Sequence, residues 1–386
     1  MHKYRIIDRD EDLKATVETI CQQDSYALDT EFHREHTYWP KVALVQIAWL
    51  NQIVLIDPLA TELAPLKALM ESDALAVVHA AAQDFEVLNR ECGAIPKRFF
   101  DTQIAAGFLG LAAPSLALLH QRELGVELAK GHRFTNWLKR PLGADQLEYA
   151  AADVARLIEI QDRLVSQLKS LHRTRWVEDE FEVMRQRSST ARDPNEAWRK
   201  IKALRQLKGR TLAVARALAA WREQHAATVD RPVRNVLPDL AVAAIAQAMP
   251  TDLQALKKIR GVDPGVAKGK RGAEIINTVA FGLAEDWRPP PKPKRRDSAR
   301  DYRSAVALAA AWINQFAKEQ KLDPALLATR ADIEAFVRGD NTARLSQGWR
   351  ADLAAEQLRR LVDGDAALVC DQDILVLEAR SRQSLT

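Results

Sequence analysis

Apolar positions in the first part of the chain fall into short runs of strand character. Tyr26–Phe32, Ala43–Ala48, Ile53–Asp57 and Ala76–His79 carry this composition and read as strands. No long helical segment separates the first three, which predicts antiparallel neighbours. Alternation follows, with a helix near Glu62–Glu71, the fourth strand, a helix near Ala81–Glu91 and a short strand before Asp101. Three adjacent strands followed by strand–helix alternation predict a mixed sheet. One long helix is expected from about Asp145 to Leu171, entered through Gly143-Ala-Asp145 with Asp145 as its N-cap.

Beyond Leu171 the strand signals stop and apolar residues recur at helical spacing, as in Ala197–Leu204 and Thr211–Trp221. Asp193-Pro194 marks a boundary, and Gly209, Pro232, Pro238 and Pro250 punctuate short helices. The stretch Trp287–Arg296 is proline- and base-rich and reads as an extended linker. A last helical segment covers about Asp301–Val362, where Trp312 and Trp349 read as packing residues. The expected organisation is an α/β domain over 1–172, then a helical domain over 195–287 with its core at about 208–287. A linker over 288–300, a second helical domain over 301–367 and a tail over 368–386, frayed at Ser381–Thr386, complete it. Both helical segments have similar length and order of short helices, consistent with a diverged duplication.

At 386 residues the chain exceeds one ordinary core. Hydrophobic residues at 47% with charged residues at 28% describe a soluble globular protein. No apolar run approaches bilayer-spanning length and the N-terminus leads into no signal-like segment, so no membrane association is expected. Cys21, Cys92 and Cys370 stand alone, which points away from a disulfide framework or thiolate zinc site and toward a reducing cytoplasm. The net charge of +4 decides little, but basic clusters gather behind the first domain, where a polyanion could be held.

The chemistry is written most densely in Tyr26-Ala-Leu-Asp-Thr-Glu-Phe32. Strand side chains alternate, so Asp29 and Glu31 share one face while Thr30 takes the other. Like charges side by side on a half-buried surface repel and lose solvation. A divalent cation between them removes that penalty; the alternative is a strand end where both acids are solvated. Three other segments place polar groups similarly. His79 ends a strand and Asp84 lies in the first turns of the next helix, while Tyr149 and Asp153 sit four apart on one helical face. Singly, Asp84 could answer a helix dipole, Tyr149 and Asp153 could be an ordinary exposed pair, His79 could be a satisfied core histidine, and His33 with His36 reads as a solvated loop rather than a zinc pair. Asp101-Thr102 also ends a strand, but spacing pairs it with nothing.

Together, Asp29-x-Glu31, Asp84 and Tyr149-x-x-x-Asp153 resemble the three exonuclease motifs of the DEDD superfamily, in its tyrosine-containing DEDDy branch. Thr37-Tyr-Trp-Pro-Lys-Val-Ala-Leu-Val-Gln46 and Lys130 with Trp137-Leu-Lys-Arg-Pro-Leu142 narrow the resemblance to ribonuclease D. The two helical segments are similar to that family's HRDC domains, the second more diverged. The alanine run Ala80–Ala82 departs from the bulkier or polar residues that other members often carry.

The resemblance implies a ribonuclease H-like mixed-sheet exonuclease domain followed by two helical HRDC-type domains. It implies a metal-dependent 3′→5′ exoribonuclease that releases nucleoside 5′-monophosphates. Two divalent cations, Mg²⁺ or Mn²⁺, would be held by Asp29, Glu31, Asp84 and Asp153. Asp29 would serve both ions, Glu31 and Asp153 would complete the nucleophile side, and Asp84 would support the other. Tyr149 would orient the attacking water, since a phenol is a poor base at neutral pH. Expected substrates are precursor tRNA and small structured RNAs with a single-stranded 3′ end, processed by a monomer. Candidate RNA contacts are Thr30, Phe32, Gln46 and His79 around the acids. Lys130, Arg133, Lys139 and Arg140 near the site, and Arg199, Lys200, Lys202, Arg205, Lys208 and Arg210 on the first helical segment, add basic ones. Two rivals remain: a DNA-preferring 3′→5′ exonuclease and a non-catalytic RNA-binding protein.

Overall fold

A computed structural model describes residues 2–128, 135–189, 193–285, 287–288 and 301–380. Within them a six-stranded mixed sheet has the order β1-β4-β3-β2-β5-β6. The strands are β1 (Arg5–Ile7), β2 (Ser25–His33), β3 (Lys41–Trp49), β4 (Gln52–Ile56), β5 (Leu75–Val78) and β6 (Phe99–Asp101). β2, β3 and β4 are antiparallel neighbours, as their close succession predicts, while β5 lies parallel to β2 and β6 parallel to β5. Tyr26, Leu28, Val45 and Ile47 face one core, shared with α1 (Asp10–Ile20), α2 (Leu66–Glu71) and α3 (Ala82–Cys92). Ala27, Ala48 and Val77 point the other way, against Val154 and Leu157. α4 (Thr102–Gly107) and α5 (Leu116–Leu119) follow β6.

The structure corrects several expectations. β1 and α1 precede the first predicted strand; β1 is a three-residue edge strand held by β4, too short to register as a periodicity. The long helix is two, α6 (Ala144–Ala155) and α7 (Leu157–Ser170), because Arg156 leaves helical geometry at φ −125 and ψ 15. The N-cap of α6 is Gly143, whose N–H donates to Gln146 Oε1, rather than Asp145.

α8 (Thr174–Ser189) packs Phe181 against Phe99 and Phe100 of the sheet. A separate helical core follows, built from α9 (Gly209–Thr228), α10 (Val233–Val236), α11 (Asp239–Ala248), α12 (Leu253–Lys257) and α13 (Gly269–Ala284). It meets the sheet domain at Tyr38 and Trp39: Tyr38 Oη donates to Glu223 at 2.9 Å and the Trp39 indole to the Ala227 carbonyl at 3.1 Å. The predicted linker over 288–300 lies almost wholly outside the described residues. The last helices are α14 (Arg303–Glu319), α15 (Pro324–Leu327) and α16 (Arg330–Val337), then α17 (Gly348–Arg350) and α18 (Glu356–Asp363) joined through a π turn at Ala351–Ala355.

These last helices share one hydrophobic core with the sheet domain. Trp349 stacks on Trp176 and meets Phe108 edge-on, each at 5.2 Å between ring centroids. Arg173 donates to the carbonyls of Phe108, Gln320 and Lys321, and Arg350 pairs with Glu180 at 2.7 Å. Strand signals do not stop at Leu171: β7 (Ala366–Asp371) and β8 (Ile374–Ala379) form an antiparallel hairpin. Gln372 and Asp373, both at positive φ, supply a two-residue turn without the Asn-Gly signature that would have announced it. Residues 381–386, expected to fray, lie outside the described residues.

Candidate active site

Asp29 and Glu31 emerge from one face of β2. The pairing of β5 with β2 runs only from Ser25↔Leu75 to Ala27↔Val77, so the segment carrying the acids continues past that neighbour. There the chain turns through His79, Ala80 and Ala81 into α3. Ala80 adopts a left-handed φ of 57, and the N–H groups of Ala80 and Ala81 donate to the Asp101 carboxylate at 3.1 and 3.0 Å. The same carboxylate caps α4 by accepting from Gln103 and Ile104. Asp101, buried and ligated by four backbone donors, therefore fixes the turn that delivers Asp84. It is a positioning residue that spacing alone left unpaired; its strand-end place was the available signal.

Thr30 points away from Asp29 and Glu31, as strand alternation requires, and its hydroxyl donates to Asp84 Oδ1. From the other side, α6 presents Tyr149 and Asp153 one turn apart, with the Tyr149 hydroxyl hydrogen-bonded to Asp153. Trp137, itself buried, packs 6.1 Å from the Tyr149 ring and limits its movement. Oxygen atoms of Asp29, Glu31 and Asp153 all lie within 4.8 Å of one another. Beside them opens a cavity of about 1060 Å³, lined in part by His79, Gln103, Tyr149 and Arg156.

Crowding and burial shift every acid upward. Asp29 is raised well above the usual carboxylate range by burial, then by Asp84, Asp153 and Glu31. Glu31 rises to about 8 through burial and the charges of Asp153 and Asp84. Burial raises Asp153 to about 7 and Asp84 to about 6, opposed by the Tyr149 and Thr30 hydrogen bonds respectively. Tyr149 is pushed up by burial and by the neighbouring carboxylates, so it keeps its proton. Among the described residues no lysine or arginine pairs with any of the four acids. An all-oxygen set, half-buried at Asp29 and Glu31 and buried at Asp84 and Asp153, and short of positive charge, fits a hard divalent cation.

The His79 ring is hydrogen-bonded within the fold. His79 Nδ1 lies 2.9 Å from the Thr102 hydroxyl, which also donates to the Val78 carbonyl at 3.0 Å. Burial lowers the pKa of His79, opposed by the Asp101 charge and by a hydrogen bond to the Pro114 carbonyl.

The 3′-5′ exonuclease family matches residues 4–169, which include all five motif residues, and the HRDC domain family matches residues 211–279. Ribonuclease D of Gluconacetobacter diazotrophicus is 34% identical over 372 residues, covering 95% of this chain and 94% of the relative. Ribonuclease D of Nitrobacter hamburgensis is 37% identical over 361 residues, covering 92% and 94%. The chain belongs to the ribonuclease D family of 3′→5′ exoribonucleases. Its fold follows that of a solved member: Escherichia coli RNase D, an exoribonuclease involved in structured RNA processing, superposes with a TM-score of 0.83 at 31% identity. That superposition covers 94% of this chain and 99% of the other. The mixed-sheet exonuclease domain and a helical HRDC domain are thus both family features.

Several expected RNA contacts are differently employed. Gln46 is 0% exposed and cannot touch a substrate. Thr30 is buried and committed to Asp84. Arg140 is a structural clamp: it grips both Asp57 oxygens at 2.6 and 2.7 Å and donates to the carbonyls of Ala43 and Trp137. Phe32 is half-buried against the core, with the Arg34 guanidinium 5.7 Å from its ring centroid. His79 does line the cavity. Lys130 and Arg133 lie outside the described residues. Among the described residues no helix is long and apolar enough to cross a membrane.

Proposed function

We propose that Asp29, Glu31, Asp84 and Asp153 hold two divalent cations, Mg²⁺ or Mn²⁺, and that the site trims single-stranded RNA 3′ ends to nucleoside 5′-monophosphates. One observation carries this reading: Asp29 and Glu31 converge with Asp153, more than a hundred residues away, within 4.8 Å, half-buried to buried and, among the described residues, without a cationic partner. Bound divalent ions supply the acidity that makes water nucleophilic and offset charge on the leaving 3′-oxygen. The protein's own part is placement. Asp29 and Glu31 are fixed by the strand, Asp153 by α6, and Asp84 by its Thr30 bond and the Asp101-braced turn. Tyr149, protonated and tied to Asp153, orients a water rather than removing its proton. His79, on the cavity wall, is placed to meet the terminal nucleotide.

The substrates we assign are precursor tRNA and other small structured RNAs, in keeping with the structured-RNA processing of the Escherichia coli relative. The last helices read as a second HRDC-type domain. α9–α13 run long, four residues, medium, short, long, and α14, α15, α16, the turn at Arg344–Ser346 and the helical run 348–363 repeat that order. Each closing helix starts at a positive-φ glycine, Gly269 or Gly348. A monomer in the reducing cytoplasm completes the reading, with Cys21, Cys92 and Cys370 all free thiols.

The test is 5′-labelled RNA incubated with Mg²⁺ or with EDTA. A ladder shortening from the 3′ end, abolished by EDTA and by Asp29→Asn or Asp153→Asn while RNA binding survives, is expected. Tyr149→Phe should slow turnover and leave metal binding intact. Faster cleavage of a matched DNA oligonucleotide would turn the reading toward a DNA exonuclease, and RNA binding without cleavage toward a non-catalytic protein.

A further inference from the structure

Gln46 is a buried amide that the fold does not explain. It occupies the middle of β3, and neither its Nε2 nor its Oε1 has a hydrogen-bond partner. Its neighbours on that face of the sheet are Leu44, Ala48 and the cross-strand Ala27, with Ala150 and Ala151 of α6 above them. Among such residues a methionine or leucine of similar size would pack equally well and leave no polar atom stranded. Stability alone gives no reason for an amide at this position.

Its register gives one. Gln46 is the direct cross-strand partner of Asp29, and directly opposed residues project from the same face with Cβ atoms about 5 Å apart. Glu31 instead faces Leu44. The Asp29 carboxylate has the Thr30 backbone N–H as a donor, which leaves acceptor capacity unused on its two oxygens. A carboxylate held ionised by a cation is a stronger acceptor than a neutral one, and ligating carboxylates are commonly oriented by a further donor behind them.

We infer that Gln46 is a positioning residue for the metal site, donating from Nε2 to the Asp29 carboxylate and fixing the direction in which that carboxylate faces its cation. This rests on Asp29 being a cation ligand. Gln46 acts through Asp29 and never meets RNA, so its loss registers first in metal binding. It also explains why a polar residue can sit where exposure is nil.

Gln46→Met removes the amide and keeps the volume. Mn²⁺ affinity, measured from free-ion electron paramagnetic resonance without RNA, should weaken about tenfold to hundredfold. The melting temperature of the EDTA-treated variant should equal or exceed that of the unsubstituted protein, and RNA trimming should recover at high Mn²⁺. A folded Gln46→Met protein with unchanged Mn²⁺ affinity overturns the inference, as does a lowered metal-free melting temperature with unchanged affinity. Should the variant not fold, a crystal structure of the unsubstituted protein soaked in Mg²⁺ decides. Nε2 within about 3.2 Å of an Asp29 oxygen supports the inference, and a separation beyond about 4 Å refutes it. Asp29→Asn separates the two levels: if it binds Mn²⁺ normally, the metal site itself is misassigned, whereas loss in Asp29→Asn alone overturns only the role of Gln46.

Discussion

Each carboxylate of the site binds its proton more tightly in the folded chain than in the unfolded one. Glu31 moves from 4.5 to about 8, Asp153 from 3.8 to about 7 and Asp84 from 3.8 to about 6. Between those limits the native state carries more protons than the unfolded state, so stability must fall as pH rises. The stabilising side of the window is the acid one, and for these three groups the loss is complete above the folded value of Glu31. A cation reverses the trend because it prefers the ionised form and displaces the protons. We therefore expect the melting temperature of EDTA-treated protein to decline from about pH 5 to about pH 8, more than in Asp153→Asn. Saturating Mg²⁺ should flatten the decline. A melting temperature that climbs over this range without metal would show that the acids are not crowded as described.

At the scale of elements, the turn between β5 and α3 matters most. It holds Ala80 at positive φ without glycine's freedom, and the Asp101 carboxylate offsets that strain by accepting from the Ala80 and Ala81 N–H groups as well as from two N–H groups of α4. Asp101→Ala strips the acceptor from all four. Expected is a loss of about 2–3 kcal/mol in urea unfolding, together with weaker metal binding as Asp84 shifts. Asp101→Asn, which keeps one oxygen, should retain part of both. Metal affinity equal to that of the unsubstituted protein in a folded Asp101→Ala variant would remove the link between the turn and the site. The strand bearing Asp29 and Glu31 was legible in the sequence because its apolar residues flank the acids in a compact run of strand composition. The break at Arg156 and the β7–β8 hairpin were not, since tertiary packing decides the first and an unusual turn disguises the second.

At the scale of the whole molecule, the helical segments are unequal partners of the sheet domain. The first has its own core and meets that domain at Tyr38 and Trp39. The last folds back onto it so closely that Phe108, Trp176 and Trp349 belong to one core, sealed by Arg350 on Glu180. Ending the chain after residue 288 uncovers Trp176 and Phe108 and leaves Glu180 without Arg350 or Arg344. Such a truncation should melt more than about 5 °C lower and aggregate more readily, though every residue of the carboxylate site is retained. An unchanged melting temperature would mean that the shared core contributes little.

The sequence by itself determined what local periodicity can encode. Asp29 and Glu31 share a face because strand side chains repeat every two residues, and Tyr149 and Asp153 because a helix turns about every 3.6. The chemistry of those groups was legible with them. Tertiary structure alone decided that Asp84 would be seized by Thr30, that Arg140 would be spent on Asp57, and that Gln46 would be sealed opposite Asp29. Burial and hydrogen-bond partners depend on residues far off in the chain, and no spacing along the polymer carries that information.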